Sequence, residues 1–164
     1  MAQPGASTAI QTQHLAGKYL TFRLHDESYG IEVLRVREII RLTTITAVPQ
    51  MPPYVRGVIN LRGKIIPVTD LRLQFGFPDA GNTDSTCIVV VQVKLAEGRI
   101  AQIGLIVDAV EEVLNIAASD IEETPDFGGQ ISAGNILGMA KIKGEVKALL
   151  DINRVVAAGA GDYQ

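Results

Sequence analysis

Residues 57–71 read Gly57-Val-Ile-Asn-Leu-Arg-Gly-Lys-Ile-Ile-Pro-Val-Thr-Asp-Leu71, and a similar stretch recurs without gaps at residues 138–152. The two copies share turn glycines, a basic residue and an aspartate: Gly57 with Gly138, Arg62-Gly63 with Lys143-Gly144, and Asp70 with Asp151. Apolar runs on both sides of a basic-Gly pair predict a β-hairpin. An aspartate directly after the second run predicts the N-cap of a short helix.

A second internal match lies upstream of each copy. Residues 29–40 align without gaps with residues 103–114, and a glycine, two valines and a glutamate agree. Chance similarity between two β-rich segments is the alternative, but agreement at turn glycines and a capping aspartate favours a true repeat. The sequence therefore predicts two similar small β-units, roughly 18–76 and 86–157, each closed into a small barrel that leaves no edge strand.

The pattern of apolar residues supports an all-β fold. Residues 18–24 alternate with a period of two, which is typical of a half-buried strand. Within residues 86–95 the run from Cys87 to Val91 is apolar at every position, which is typical of a strand covered on both faces. Helix signals are few and short, and residues 34–40 fit either a helix or a strand.

The composition is that of one ordinary globular domain. The chain has 164 residues, of which 47% are hydrophobic and 20% charged, so a core can form without disulfides or metals. A single cysteine excludes an intrachain disulfide. We expect tails at 1–16 and 159–164 around one domain at 17–158. The sequence shows neither a secretory signal nor an apolar run of membrane-spanning length, so we expect a cytoplasmic protein.

Charge is unevenly distributed along the chain. The net charge is −3; residues 18–72 hold nine basic and five acidic side chains, and residues 73–164 hold six and thirteen. The basic half predicts contact with nucleic acid or with an acidic protein surface, unless it is simply solvated. Only Tyr54 and Phe75 lie near its arginines to stack on bases. A nucleic-acid-binding double barrel therefore stays as the second hypothesis.

Residues that could carry catalysis are scarce. His14 and His25 lack the spaced partner of a metal site. Cys87 lies in the most apolar strand with no basic neighbour, which predicts an inert thiol. The acidic residues between 111 and 126 lack the spacing of a calcium loop, and no glycine-rich nucleotide motif occurs. We therefore expect a binding module that is not an enzyme and uses no metal or cofactor.

Two positions indicate protein–protein contact. Arg62 lies at a predicted hairpin tip beside apolar residues, where a guanidinium suits an interface, and Glu38 is its expected partner across a groove. Phe127 follows Pro125-Asp126 and precedes two glycines. Its ring either folds back into the core or serves as an exposed anchor.

Four segments resemble the CheW family of bacterial chemotaxis coupling proteins. Residues 29–40 and 57–72 carry the specific motifs at the family's usual separation, and residues 104–114 and 125–127 also fit. The resemblance covers roughly residues 18–157. It implies two five-stranded SH3-like β-barrels and no enzymatic activity. It also implies an adaptor that bridges the cytoplasmic tips of chemoreceptors to the regulatory domain of the histidine kinase CheA and helps to form rings in receptor arrays.

The resemblance also implies three binding surfaces. The receptor-binding groove would use one set of residues: Val36, Glu38, Gly57, Arg62, Thr86 and Cys87. A kinase-binding surface would use Leu61 and Ile65. A ring interface would centre on Phe127, flanked by Asp126 and Glu122. Many relatives carry a basic residue near position 122 and a β-branched apolar residue at position 87, so this chain departs from the family at both.

Overall fold

The computed structural model describes residues 13–123 and 135–161, and strands dominate it. The strands are, in chain order, β1 (Gly17–Leu24), β2 (Glu27–Glu32), β3 (Val36–Arg41), β4 (Val55–Leu61), β5 (Lys64–Asp70), β6 (Cys87–Lys94), β7 (Ile100–Val107), β8 (Ala109–Ile116), β9 (Ile121–Glu122), β10 (Ile136–Ile142) and β11 (Glu145–Leu150). The helices are α1 (Leu71–Gln74) and α2 (Ile152–Gly161). The prediction of an all-β fold with two small SH3-like units and few short helices is confirmed.

The strands form two sheets. Sheet one has the order β8-β1-β2-β11-β10-β9, and sheet two has the order β3-β6-β7-β5-β4. Hairpin β1–β2 from the first sequence repeat lies in sheet one with β8, β10 and β11 from the second. Hairpin β6–β7 from the second repeat lies in sheet two with β3, β4 and β5 from the first. Each sheet therefore draws strands from both sequence repeats.

The strand pairings repeat with the sequence. Strand β2 pairs in parallel with β11, placing Leu149 opposite Gly30, and β7 pairs in parallel with β5, placing Val68 opposite Gly104. The two aligned glycines thus occupy equivalent positions, each opposite the second strand of the basic-Gly hairpin of the other repeat. These parallel contacts join each exchanged hairpin to its host sheet. The expectation that each sequence repeat closes into a barrel of its own is therefore wrong, because each sheet is completed by a hairpin from the other repeat.

Three apolar clusters stabilise this arrangement. The largest takes residues from both sheets and from both helices, while the other two lie within sheet two and within sheet one. The side chains of strand β6 alternate between two clusters. Val89 and Val91 belong to the largest cluster, which we call the shared cluster, and Ile88 and Val90 belong to the cluster of sheet two. Both faces of this strand are buried, as its continuous apolar sequence predicts.

The basic-Gly turns form the two predicted hairpins. Arg62 and Gly63 have φ values of 52° and 85°, and Lys143 and Gly144 have 53° and 81°. Positive φ at both central residues is the geometry of a two-residue type I′ turn, which matches the twist of the flanking strands. The turn connects β4 to β5 in one case and β10 to β11 in the other.

Local details refine the predicted boundaries. Residues 13–15, placed in the N-terminal tail on sequence grounds, form a 3-10 turn, and α2 reaches Gly161. The segment that fitted either helix or strand forms a 3-10 turn at Val33–Arg35 followed by β3. The carboxylates of Asp70 and Asp151 accept backbone N–H groups at the first turns of α1 and α2, as expected of caps.

Candidate functional site

The predicted contact between Arg62 and Glu38 is present. Nη1 of Arg62 donates to Oε1 of Glu38 at 3.1 Å, and Nη2 donates to Oε2. This two-pronged pair joins the tip of the β4–β5 turn to strand β3. The hydrogen bond from Arg62 lowers the pKa of Glu38, so the carboxylate stays ionised. Arg62 is 71% exposed, and its guanidinium is therefore accessible to a partner.

Gly57 allows two segments of the chain to approach closely where strand β4 meets Thr46. A Cβ at position 57 would lie 1.9 Å from the carbonyl oxygen of Thr46. The backbones of Thr46 and Val58 exchange two hydrogen bonds of 2.9 Å at this point. No side chain fits there, so Gly57 shapes the surface without contributing a contact of its own.

The remaining predicted receptor-binding side chains, Val36, Thr86 and Cys87, are buried or half-buried. Val36 packs against the shared cluster. Thr86 is only 4% exposed, and its hydroxyl accepts the N–H of Thr83 at 2.9 Å. In the β3–β6 ladder Glu38 lies opposite Val90, so Cys87 is three residues, or about 10 Å, further along.

Cys87 itself is half-buried against the shared cluster. Burial raises the pKa of its thiol, and a hydrogen bond from the Val110 N–H opposes this only in part. A raised pKa keeps the sulfur protonated and unreactive, in agreement with the expectation of an inert thiol.

The structure separates the two residues predicted to bind the kinase. In the β4–β5 hairpin Leu61 pairs with Lys64, and Asn60 pairs with Ile65. Cross-strand partners share a face, so Leu61 and Ile65 lie on opposite faces. Leu61 packs against the cluster of sheet two, whereas Ile65 is 62% exposed.

Of the three residues predicted to form the ring interface, the structure describes only Glu122. Glu122 lies on β9 opposite Met139, and its carboxylate is 2.8 Å from Nζ of Lys141. Both side chains of this ion pair are exposed. Asp126 and Phe127 lie outside the described residues, so the alternatives for Phe127 stay predictions.

A buried arginine forms a network that the sequence did not reveal. Nε and Nη2 of Arg72 donate to the two oxygens of Asp70 at 2.9 Å, and Asp70 is fully buried. The remaining donors reach Gly81 O, Oδ1 of Asn82 and Oδ1 of Asp108, each at 2.9 Å. All five guanidinium donors are therefore used. Hydrogen bonding to Asp70 raises the pKa of Arg72.

This network connects the two sheets. Asp108 lies at the bend between β7 and β8, and its second oxygen accepts the N–H of His25 in the β1–β2 turn at 2.7 Å. A cavity of about 260 Å³ beside it is lined by His25 and Phe77, whose rings stack. Because Arg72 has no donor left, the network is suited to holding the sheets together and not to binding a ligand.

Within residues 13–123 and 135–161 no group of three or more metal-ligating side chains could hold an ion. None of the helices in these ranges is long and apolar enough to cross a bilayer.

Comparison with family models matches residues 18–159 to the CheW-like domain. The chain belongs to the CheW-like family. The chemotaxis protein CheW of Rhizobium meliloti is 35% identical over 136 residues, which cover 83% of this chain and 84% of the relative. The CheW of Klebsiella aerogenes is 30% identical over 158 residues, which cover 96% and 92%.

A solved structure agrees with this assignment. The crystal structure of the scaffolding protein TtCheW from Thermoanaerobacter tengcongensis matches with a TM-score of 0.76 and 34% identity, over 85% of this chain and 92% of the other. The resemblance found in the motifs is thus confirmed over nearly the whole chain. Family membership supports a scaffold or adaptor role in chemotaxis.

Proposed function

We propose that this protein is a non-enzymatic adaptor that couples chemoreceptors to the histidine kinase CheA in a bacterial chemosensory array. Membership of the CheW-like family supports the scaffold role. The observation that carries the finer proposal is the exposed ion pair of Arg62 and Glu38, which lies where the family motifs predict receptor contact. The protein would act in the cytoplasm, at arrays held by membrane-bound receptors, without a cofactor.

The receptor surface would centre on this ion pair. Arg62 and Glu38 would make direct contacts, because they are the accessible polar groups of the predicted set. Gly57 and Thr86 would support the surface by shape, because the first leaves no room for a side chain and the second is buried. Val36 and Cys87 would contact the receptor through the exposed parts of their half-buried side chains.

The other partners would use surfaces away from this pair. Ile65 offers an exposed apolar side chain to the regulatory domain of the kinase, and Leu61 would support it from the opposite face. Contacts between copies in rings would use Glu122, Asp126 and Phe127. An adaptor built in this way transmits a signal when binding at one surface changes the free energy of binding at another.

Direct titration tests the proposal. The purified chain is titrated by calorimetry with a soluble chemoreceptor-tip fragment and, separately, with the CheA regulatory domain, both from the same organism. We expect saturable binding of each and a ternary complex in gel filtration. Binding of neither component would contradict the adaptor function.

A further inference from the structure

Within the described residues the chain passes between the two sheets at two points, which the internal repeat makes equivalent. It passes from sheet one to sheet two between β2 and β3, and it returns between β7 and β8. Asp108 lies at the second crossover, and the alignment of residues 29–40 with 103–114 makes Leu34 its counterpart at the first. Leu34 is 86% exposed, and its aliphatic side chain forms no hydrogen bond. A polar side chain therefore holds only the second of the two crossovers.

Asp108 ties its crossover to parts of both sheets. Its Oδ1 accepts Nη1 of Arg72, which follows β5 of sheet two, at 2.9 Å. Its Oδ2 accepts the backbone N–H of His25, in the β1–β2 turn of sheet one, at 2.7 Å. Its own backbone N–H donates to the carbonyl oxygen of Arg23, in β1, at 3.0 Å. We call these three hydrogen bonds the Asp108 lock.

Further hydrogen bonds lead from the Asp108 lock to the predicted receptor surface. Nη2 of Arg72 donates to Oδ1 of Asn82 at 2.9 Å. In the next residue, the N–H of Thr83 donates to the hydroxyl oxygen of Thr86 at 2.9 Å. Thr86 is one of the residues predicted for the receptor surface. A displacement of residues 82–86 therefore acts on the guanidinium that holds Asp108.

On the other side, the Asp108 lock continues into a polar cluster of sheet one. Nη1 of Arg23 lies 3.6 Å from Oε2 of Glu111 in β8. Oε1 of Glu111 accepts the hydroxyl of Ser28 in β2 and lies 3.5 Å from Nζ of Lys147 in β11. The Lys147 side chain is only 7% exposed. These contacts join four strands of sheet one, so a shift of β1 is passed on across the sheet.

The surroundings of the Asp108 lock leave room for movement. A cavity of about 260 Å³ lies between the β1–β2 turn and residues 77–83, where the ring of Phe77 stacks on that of His25. Proteins open locally at sites of this kind, where few apolar contacts oppose the opening. Two arrangements of the crossover follow, one with the bonds to Asp108 formed and one with them open.

We propose that the Asp108 lock transmits receptor binding on sheet two to sheet one, which carries Glu122 of the predicted ring interface. This inference rests on the proposed adaptor function and adds the route through the molecule. Asp108 is a positioning residue that contacts neither partner. A connected network with two arrangements couples distant sites when binding favours one of them. Receptor contact orders residues 82–86 and so favours the closed lock, whereas a purely structural lock would add stability and transmit nothing.

The variant Asp108→Asn separates these two roles. An amide accepts through its oxygen and donates from its nitrogen, so the variant keeps at most one of the two side-chain bonds. The matched control is Asn153→Ala, which removes a similar bond between distant elements, from the Lys94 N–H to Oδ1 of Asn153 at 2.8 Å. Asn82→Ala interrupts the same route at an exposed position and decides the question alone if Asp108→Asn does not fold.

The measurement is residue-resolved amide hydrogen exchange of the full chain, with and without a saturating soluble chemoreceptor-tip fragment. In the wild type we expect binding to slow exchange about fivefold in the β1–β2 turn and in β10, as well as in sheet two. Asp108→Asn and Asn82→Ala should keep the response of sheet two and lose that of sheet one. Asn153→Ala should respond like the wild type. Calorimetric titration should give all four proteins similar affinities for the fragment.

Several results would overturn the inference while the adaptor function stands. They are a wild type that binds the fragment without a response in sheet one, a folded Asp108→Asn variant that keeps this response, and an equal loss of the response in the control. A folded Asp108→Asn variant that no longer binds the fragment would also overturn it, because Asp108 would then belong to the receptor surface. If the wild type binds no receptor fragment, the adaptor function fails, and this inference fails with it.

Discussion

At the scale of single residues, Arg62 and Lys143 provide an internal comparison. They occupy the same position in two type I′ turns, with φ values of 52° and 53°, but only Arg62 forms an ion pair within the described chain. Replacing either residue by alanine should disturb its turn equally. We predict that Arg62→Ala weakens binding to a receptor-tip fragment about tenfold, whereas Lys143→Ala does not.

Thermal unfolding and calorimetric titration of both variants would check this prediction. The two melting temperatures should stay close to that of the wild type, since neither side chain is buried. Equal binding by both variants would remove Arg62 from the receptor surface. A large loss of stability in Arg62→Ala alone would instead assign the ion pair a structural role.

Gly57 gives a second prediction at this scale. The Cβ of Gly57→Ala would meet the Thr46 backbone at 1.9 Å, so the crossing chain must move. We predict a loss of roughly 3 kcal/mol in the free energy of unfolding. Gly144→Ala is the control, because its φ is 81° but its Cβ would meet no atom within 4 Å. Gly144→Ala should lower the free energy of unfolding by only about 1 kcal/mol. If urea unfolding showed similar losses for both variants, the close approach of Gly57 to the Thr46 backbone would not explain the effect.

At the scale of elements, the Arg72 network links loops that are distant in sequence. Removing Arg72 would leave the fully buried carboxylate of Asp70 with Arg56 as its one counter-ion among the residues that the structure describes. We predict that Arg72→Met lowers the free energy of unfolding by about 3 kcal/mol. Lys141→Ala, which removes the exposed ion pair to Glu122, should cost less than about 1 kcal/mol. Equal losses in urea unfolding would show that the network does not stabilise the fold.

Local sequence patterns were enough to predict where several hairpins form and which strands are buried. The Arg62-Gly63 pair between apolar runs determines its own hairpin, and the continuous apolar sequence of β6 reflects burial on both faces. The separation of Leu61 from Ile65 was also available in the sequence. A two-residue turn at 62–63 pairs Leu61 with Lys64, which puts Ile65 on the other face. Whether both residues contact the kinase stays a prediction.

Contacts between distant residues were not predictable in this way. The apolar pattern of β2 indicates that it is buried, but it does not identify β11 as its parallel neighbour. The bond from Arg72 to Asp108 spans 36 residues, and no local signal in the sequence marks either residue as its partner. Such pairings arise from the assembled topology, because several partners of similar hydrophobicity or charge satisfy the same sequence pattern.

At the scale of the whole molecule, the exchange of hairpins makes the two sheets interdependent. Sheet one needs β1–β2 from the first half of the chain, and sheet two needs β6–β7 from the second half. The largest apolar cluster also draws on both sheets and on both helices. The halves 1–81 and 82–164 should therefore be unable to fold separately, because each would hold an unpaired hairpin and an exposed core.

We predict that the intact chain unfolds in one cooperative transition and that the halves fold only when mixed. Urea unfolding followed by circular dichroism and by tyrosine fluorescence should give the same midpoint, as expected of a two-state transition. The fluorescence samples more than one part of the core, because Tyr19 and Tyr29 belong to different apolar clusters. Separately expressed halves should lack a β-sheet spectrum and a melting transition, and an equimolar mixture should recover both. A half that folds alone, or two distinct midpoints, would contradict this. Cooperative unfolding would mean that the Arg62–Glu38 pair on sheet two and Glu122 on sheet one belong to a single folding unit.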